Sequence, residues 1–380
     1  MKNTKLFFIL ISIFFVSQNI GADIRIDTIV KVKPKFIYRV DNLTYFDNRL
    51  FYLPYHQPRL FFGDRLTALG GIGINKDGNH KLYAGLTTNL FFGTDFKNYT
   101  FMPMVYYRFE KDFLQESCIG CEHNLKLHFG ILPYREIEAS LPNFIRRGSA
   151  EYTMPNLQGA LVQYNLKNRL LLDYAFDWRK VKTDIQRDNF GMILAGRVPT
   201  AKIMDFGFIA QWNRLGHNLD TIKNNVDNIV INGFVRADFG GLTKNFRSIF
   251  IQAGYLGSFS NDNINIKNHW NNSIVVDCGI RWKMITLRNN LYVSLSQEKD
   301  GNLMPLHKYY PELYISDHYY RAPLYNRTEL AFDLLNTNYF ALRAQFLMHY
   351  VPKSVFNDLP NNNEYKSFGW QQRITANVRF

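Results

Sequence analysis

The sequence predicts an all-β fold: a transmembrane antiparallel up-and-down β-barrel of about sixteen strands behind a cleaved export signal. Three observations predict it. The chain begins with a short apolar run of the export type. It ends in a strand with one greasy face and one wet face. Between the two, alternating segments are joined by connections that switch regularly between long and short.

The export signal comes first in the chain. Lys2 and Lys5 supply positive charge, Leu6 to Val16 is apolar apart from Ser12, and the small residues Gly21 and Ala22 follow. A spanning helix needs roughly 20 apolar residues, so this run suits a secretory signal better. Cleavage is expected near Ala22, giving a signal over residues 1–22 and a barrel over 23–380. No Cys follows the apolar run, which argues against a lipoprotein anchor.

At the other end, Phe368, Trp370, Ile374, Ala376, Val378 and Phe380 share one face, with Gln372 the exception. Gly369, Gln371, Arg373, Thr375, Asn377 and Arg379 share the other. Successive strand side chains point to opposite faces. A strand of this kind ending on an aromatic, in an exported chain, resembles the C-terminal signal of barrels inserted by the outer-membrane assembly machinery. The resemblance implies the cell outer membrane of a Gram-negative envelope as the destination.

Composition agrees. Aromatic residues make up 16% of the chain, including 23 Tyr and 32 Phe, a load that suits girdles at two membrane interfaces. After the signal there is no apolar run long enough for a spanning helix. Only closed strands can then cross a bilayer, because every backbone polar group must be satisfied within the structure. Without Lys2 and Lys5, 43 basic and 32 acidic residues remain. Export makes nucleic acid an improbable partner for that charge, so lipopolysaccharide and anionic solutes are the better candidates.

Alternation recurs along the chain. Leu170, Leu172, Tyr174, Phe176 and Trp178 oppose Arg169, Asp173, Asp177 and Arg179. Ile274, Val276, Cys278, Ile280 and Trp282 oppose Ser273, Asp277, Gly279 and Arg281. A soluble sandwich would turn its charged face outward, whereas a barrel turns it inward, and only a wide barrel has room for so many charges. The connections favour the barrel. Counting back from Phe380, residues 351–366 are long and 335–338 short, 298–324 long and 284–287 short, and so on through ten connections. Short periplasmic turns and long external loops have this asymmetry. Strands are expected to begin near residues 35, 60, 80, 99, 124, 156, 169, 189, 202, 228, 247, 272, 288, 325, 339 and 367, within a range of fourteen to eighteen strands. Pro103 falls inside the fourth, where a bulge is expected, since proline cannot donate to a ladder.

The layout resembles that of porins, at the level of architecture and without a family-specific motif. The long segment 133–155 after the fifth strand carries Arg135, Glu136, Glu138, Arg146, Arg147 and Glu151. Its position is similar to that of the constriction loop of sixteen-stranded porins, which folds into the lumen. The alternative is an external loop whose charges face water. Further pore candidates on strands are Arg236, Arg281, Arg343 and Arg373. A tally of lumen charges, with Arg169 and Lys283 among the basic ones, gives eleven basic against seven acidic residues, an expectation of mild anion preference. The resemblance implies passive diffusion of small hydrophilic solutes, no cofactor, and a homo-trimer.

Two other classes are kept open. A loop-plugged surface barrel would bind glycan or capsule, and the tyrosines of 298–324 (Tyr309, Tyr310, Tyr314, Tyr319 and Tyr320) could stack on a sugar or simply on one another. An outer-membrane hydrolase would need a catalytic group. His269 with Ser273 and Asp317 with His318 are the nearest pairs; the Trp-Asn-Asn flanking the first does not resemble the outer-membrane phospholipase motif, and lone pairs like the second are common by chance. Cys118 and Cys121 form a Cys-x-x-Cys, read as a local disulfide or idle thiols. A metal site there would need two more ligands, and only His123 is near. Cys278 reads as a small lipid-facing hydrophobe.

Overall fold

The computed structural model describes residues 34–50, 59–74, 79–92, 99–114, 122–146, 148, 150–167, 169–180, 188–218, 223–262, 267–297, 304–306, 316–353 and 366–380. The expected signal, Cys118, Cys121, Arg147, Tyr309, Tyr310 and Tyr314 lie outside them.

Sixteen strands form one closed antiparallel barrel, each paired with its neighbours in sequence. They are β1 (Lys35–Leu50), β2 (Arg59–Ile74), β3 (His80–Phe92), β4 (Tyr99–Leu114), β5 (Glu122–Pro133), β6 (Asn156–Leu166), β7 (Leu170–Lys180) and β8 (Asn189–Ala201). The second half comprises β9 (Met204–Asn218), β10 (Lys223–Asp238), β11 (Ser248–Asp262), β12 (Lys267–Trp282), β13 (Ile285–Ser294), β14 (Leu324–Asn336), β15 (Phe340–Tyr350) and β16 (Phe368–Arg379). Among the described residues no helix is long and apolar enough to cross a membrane.

The terminal strand closes the wall. β1 and β16 pair from Asp41–Arg379 to Leu50–Trp370. The backbones of Val40 and Phe380 exchange both hydrogen bonds, at 2.9 and 2.8 Å. The Phe380 ring points outward and stacks on Tyr339 at 6.3 Å, part of an aromatic rim. At the opposite rim Phe176, Phe190 and Trp212 form a row across β7, β8 and β9, the first pair tilted and the second edge to face. Phe259 meets Trp270 at 4.6 Å, and Tyr350 meets Phe368 at 4.9 Å. Exposed apolar side chains cover the outside between these rims, as a lipid-facing wall requires. Cys278 is free and shares this outer face with the exposed Ile274 and Ile280.

The outer wall has a polar exception. Asp64, about a third of the way along β2, faces outward and accepts hydrogen bonds from Asn42 at 2.8 Å and Thr44 at 2.7 Å.

Three sequence expectations are corrected. Pro103 causes no bulge, because it pairs with Leu86 of β3 in unbroken register. On its other side β4 has no partner until Tyr106, so the proline sits at a local edge where its missing N–H costs little. Lys283 lies in the two-residue turn between β12 and β13 with φ 49° and is exposed there, so it is no lumen charge. Arg169 likewise belongs to the exposed turn before β7.

The buried core lies inside the barrel. Leu161, Ala175 and Ile193 form a cross-strand row on the inner wall, and Val275, Tyr292 and Tyr325 form another. Ile137, Phe144 and Ile145 of the segment after β5 pack into the same cluster.

Candidate functional site: the inward loop and the wall it faces

The loop turns inward at a pair of glycines. Gly130 of β5 has φ +125° and pairs with Gly159 of β6 at φ +153°. Both values lie in backbone space that L side chains rarely enter. A Cβ on Gly130 would lie 2.2 Å from the Val105 carbonyl oxygen. Above this level β5 leaves β4 and β6 leaves β7, while Ile131–Pro133 stay paired with Asn156–Gln158. The hairpin therefore bends as a unit. Its base is closed by the Tyr134 N–H donating to the Pro155 carbonyl at 2.8 Å. Asp177 accepts the freed Gln158 N–H at 3.0 Å.

Loop charges then fasten the segment to the near wall. Arg135 pairs with Asp41, which also meets Arg65 at 3.2 Å and Arg379 at 3.5 Å. Glu136 lies between Arg39 at 2.5 Å and Arg108 at 3.6 Å. Glu138 reaches Lys126 at 2.5 Å. Burial, and then the neighbouring Arg39, push the Arg135 guanidinium below its ordinary value, while Asp41 opposes that shift. Such buried charges persist only because each has a partner.

Further along, the Tyr134 hydroxyl donates to Asp177, and the Arg146 guanidinium stacks 3.7 Å over the Tyr134 ring. Arg146 also donates to the carbonyls of Ala150 at 2.8 Å and Met154 at 2.6 Å. These carbonyls flank the single helical turn Ala150–Thr153. Tyr152 stacks on Tyr45 at 4.2 Å; its hydroxyl donates to Asp47 and accepts from Arg49 at 3.0 Å. Arg373 supports this corner, 3.5 Å from Asp47 and close against Gly148. Burial pushes the Tyr134 and Tyr152 hydroxyls up to about 12.

With these charges engaged, the tip 139–144 is neutral, and it crosses to the far wall. The Asn143 carbonyl accepts the Asp317 N–H at 2.8 Å, and Phe144 meets Tyr320 edge to face at 5.8 Å. Tyr319 and Tyr320 are only 2% and 1% exposed. Tyr319 stacks on Tyr325 at 4.7 Å and on His349 at 4.3 Å, so its faces are covered by protein.

A space of about 230 Å³ separates the tip from the far wall, and one of about 290 Å³ on the near side is bordered by Arg65, Arg135 and Arg146. Arg236, Arg288 and Arg327 border the first space. Arg288 holds Asp277 with its Nε at 2.8 Å, and Arg327 holds Glu329 at 2.9 Å. Arg236 lies 3.4 Å from Asp238 and 4.0 Å over the Phe250 ring. Arg343 shares Glu329 at 3.1 Å and Asp333 at 3.7 Å; Arg281 meets Asp333 at 2.9 Å.

Sequence reasoning missed Arg39, Asp41, Asp47, Arg49, Arg65, Arg108 and Arg288. The signal was present in β1, where Arg39, Asp41, Asp47 and Arg49 all occupy odd, inward positions. Of the hydrolase candidates, His269 and Ser273 do not meet. His269 and Ser273 are buried on the inner face of β12, four residues apart along one strand, roughly 13 Å. Ser273 bonds instead to Asn271 and, at 3.1 Å, to Tyr292. Asp317 caps the 3-10 turn His318–Arg321.

No protein-family profile and no curated protein matches the chain. Solved structures do. OmpT of Vibrio cholerae, outer-membrane expressed, superposes with a TM-score of 0.53 at 9% identity, over 91% of this chain and 98% of that one. The in-vitro folded trimer form of the same protein gives 0.53 at 10% identity, over 91% and 99%. OccAB3 of Acinetobacter baumannii gives 0.52 at 10% identity, again over 91% and 99%. At these identities the likeness is one of fold. The chain has the sixteen-stranded, antiparallel, closed barrel of outer-membrane porins.

Proposed function

We propose that this chain is a porin-like channel of the outer membrane through which small hydrophilic solutes diffuse passively, with a mild preference for anions. The observation that carries the reading is the inward loop. Its charges Arg135, Glu136 and Glu138 are bound to the near wall, and the narrowed space is bordered by four arginines (Arg197, Arg236, Arg288 and Arg327) against two carboxylates, Glu138 and Asp277. Rings of like charge at a constriction set ion selectivity. Reversal potentials across planar bilayers in a KCl gradient test it. A modest anion preference is expected, and clear cation preference would refute it.

The same reading takes residues 1–22 as a cleaved signal and the terminal strand as the element recognised during barrel assembly. Lipopolysaccharide is the external partner. A homo-trimer is supported by Asp64: a carboxylate on a lipid-facing wall is costly unless another subunit covers it. A second reading, a loop-filled barrel that binds glycan or capsule, is favoured by the contact of Asn143 and Phe144 with residues 316–321. Near-zero conductance with retained glycan binding would select it.

A further inference from the structure

The space between the loop tip and the far wall has two unlike sides. One is apolar: Leu141 and Pro142 of the tip face Leu171, Ala195, Ile209 and Phe234, contributed by β7, β8, β9 and β10. Porin-like passage of hydrophilic solutes gives no reason for this patch. Water beside it makes fewer hydrogen bonds than water in bulk, and an apolar group displacing that water gains free energy in proportion to the area covered.

The other side is the basic wall of β10, β13 and β14. Arg288 keeps 41% of its side chain exposed while holding Asp277, Arg236 keeps 27% and Arg327 14%. Their guanidinium forks can accept a planar carboxylate. Asn290 adds a neutral polar group, which also accepts from the Tyr320 hydroxyl at 3.1 Å. The two bordering carboxylates are already taken, Glu138 by Lys126 and Asp277 by Arg288. An inorganic anion would meet the arginines and leave the apolar side wet. A neutral apolar solute would do the reverse.

We propose that the constriction selects small amphipathic organic anions, an aromatic or branched aliphatic monocarboxylate being the class that fills both sides. The carboxylate lies along Arg236, Arg288 and Arg327, and the apolar body lies against Leu141, Pro142 and Phe234. This rests on the channel reading above and names its substrate class.

The experiment is single-channel recording of the full-length protein in KCl, with four probes added in turn: benzoate, acetate, benzyl alcohol and benzylammonium. Benzoate is expected to block the ion current reversibly at a concentration at least tenfold below that of the other three, a difference of about 1.4 kcal/mol. Leu141→Ser is expected to weaken the benzoate block several-fold more than the acetate block. The double variant Arg288→Gln/Asp277→Asn, which removes the pair together and avoids an unpaired buried charge, is expected to weaken block by benzoate as well. Equal block by benzoate and acetate, or equal block by benzylammonium, overturns the inference and leaves the channel reading standing. Absence of any conductance overturns both.

Discussion

Replacing Asp41 by Asn removes one carboxylate and leaves its shape. Asp41 is 1% exposed and stands among Arg65, Arg135 and Arg379. The three contacts are not equal. The Arg379 side chain is 63% exposed, so solvent screens it and it contributes little. Arg65 and Arg135 are 6% and 24% exposed and would be left as buried cations. Breaking a buried pair on one side costs about 3–5 kcal/mol. The lower end applies here, because Arg135 can swing into lumen water when the near end of the loop lets go. Urea unfolding in detergent, followed by tryptophan fluorescence, reads the loss. A cycle with Arg135→Gln reads the coupling, which should exceed about 1 kcal/mol for residues in direct contact. The same variant should conduct with larger current fluctuations, since the loop loses its first anchor. A loss under about 0.5 kcal/mol together with an additive cycle would refute the claim that this carboxylate pins the loop.

Other outcomes follow from the same contacts. Gly130→Ala should cost at least about 2 kcal/mol, from positive-φ strain together with the overlap on the Val105 carbonyl, and should lower folded yield on refolding; Gly233→Ala, with nothing within 4 Å of the added carbon, should be near neutral. Asp64→Leu should weaken the proposed trimer, seen as a monomer appearing at lower temperature in native gels; an unchanged assembly state with a more stable barrel would place Asp64 against lipid instead. The Tyr134 and Tyr152 hydroxyls, held near 12 when folded against about 10 when unfolded, contribute stability that is complete below about pH 10 and lost as pH rises through 12. Absorbance of tyrosinate should therefore show a late-titrating class that shrinks in Tyr134→Phe and Tyr152→Phe.

Much of the barrel is legible in the sequence, and the departures have physical reasons. Most strands begin within three residues of the expected positions. β10 and β12 begin earlier, at Lys223 and Lys267. Their first residues, Lys223-Asn224-Asn225 and Lys267-Asn268-His269, are polar on both faces, so alternation fades while the ladder continues to Asn218 and Asp262. The apolar row inside the lumen is visible only as a break in alternation, as at Ile229-Val230-Ile231 and Ile274-Val275-Val276. Alternation assigns a face but not a partner. Arg39 and Glu136 are 97 residues apart, and nothing local in either segment joins them. The loop's entry point was written in Gly130 and Gly159, two glycines inside otherwise regular strands. In a strand such residues mark a bend or a close backbone approach, and here they mark both.

The central claim is that the loop after β5 narrows the lumen and sets the conductance. Planar-bilayer recording of the full-length protein beside a variant in which residues 139–145 are replaced by three glycines tests it most directly. That variant keeps the anchors Arg135, Glu136, Glu138 and Tyr152, and circular dichroism verifies its barrel. Conductance should rise at least about twofold, since the tip occupies the space facing Arg236 and Arg288. Unchanged conductance in a folded variant would contradict the account.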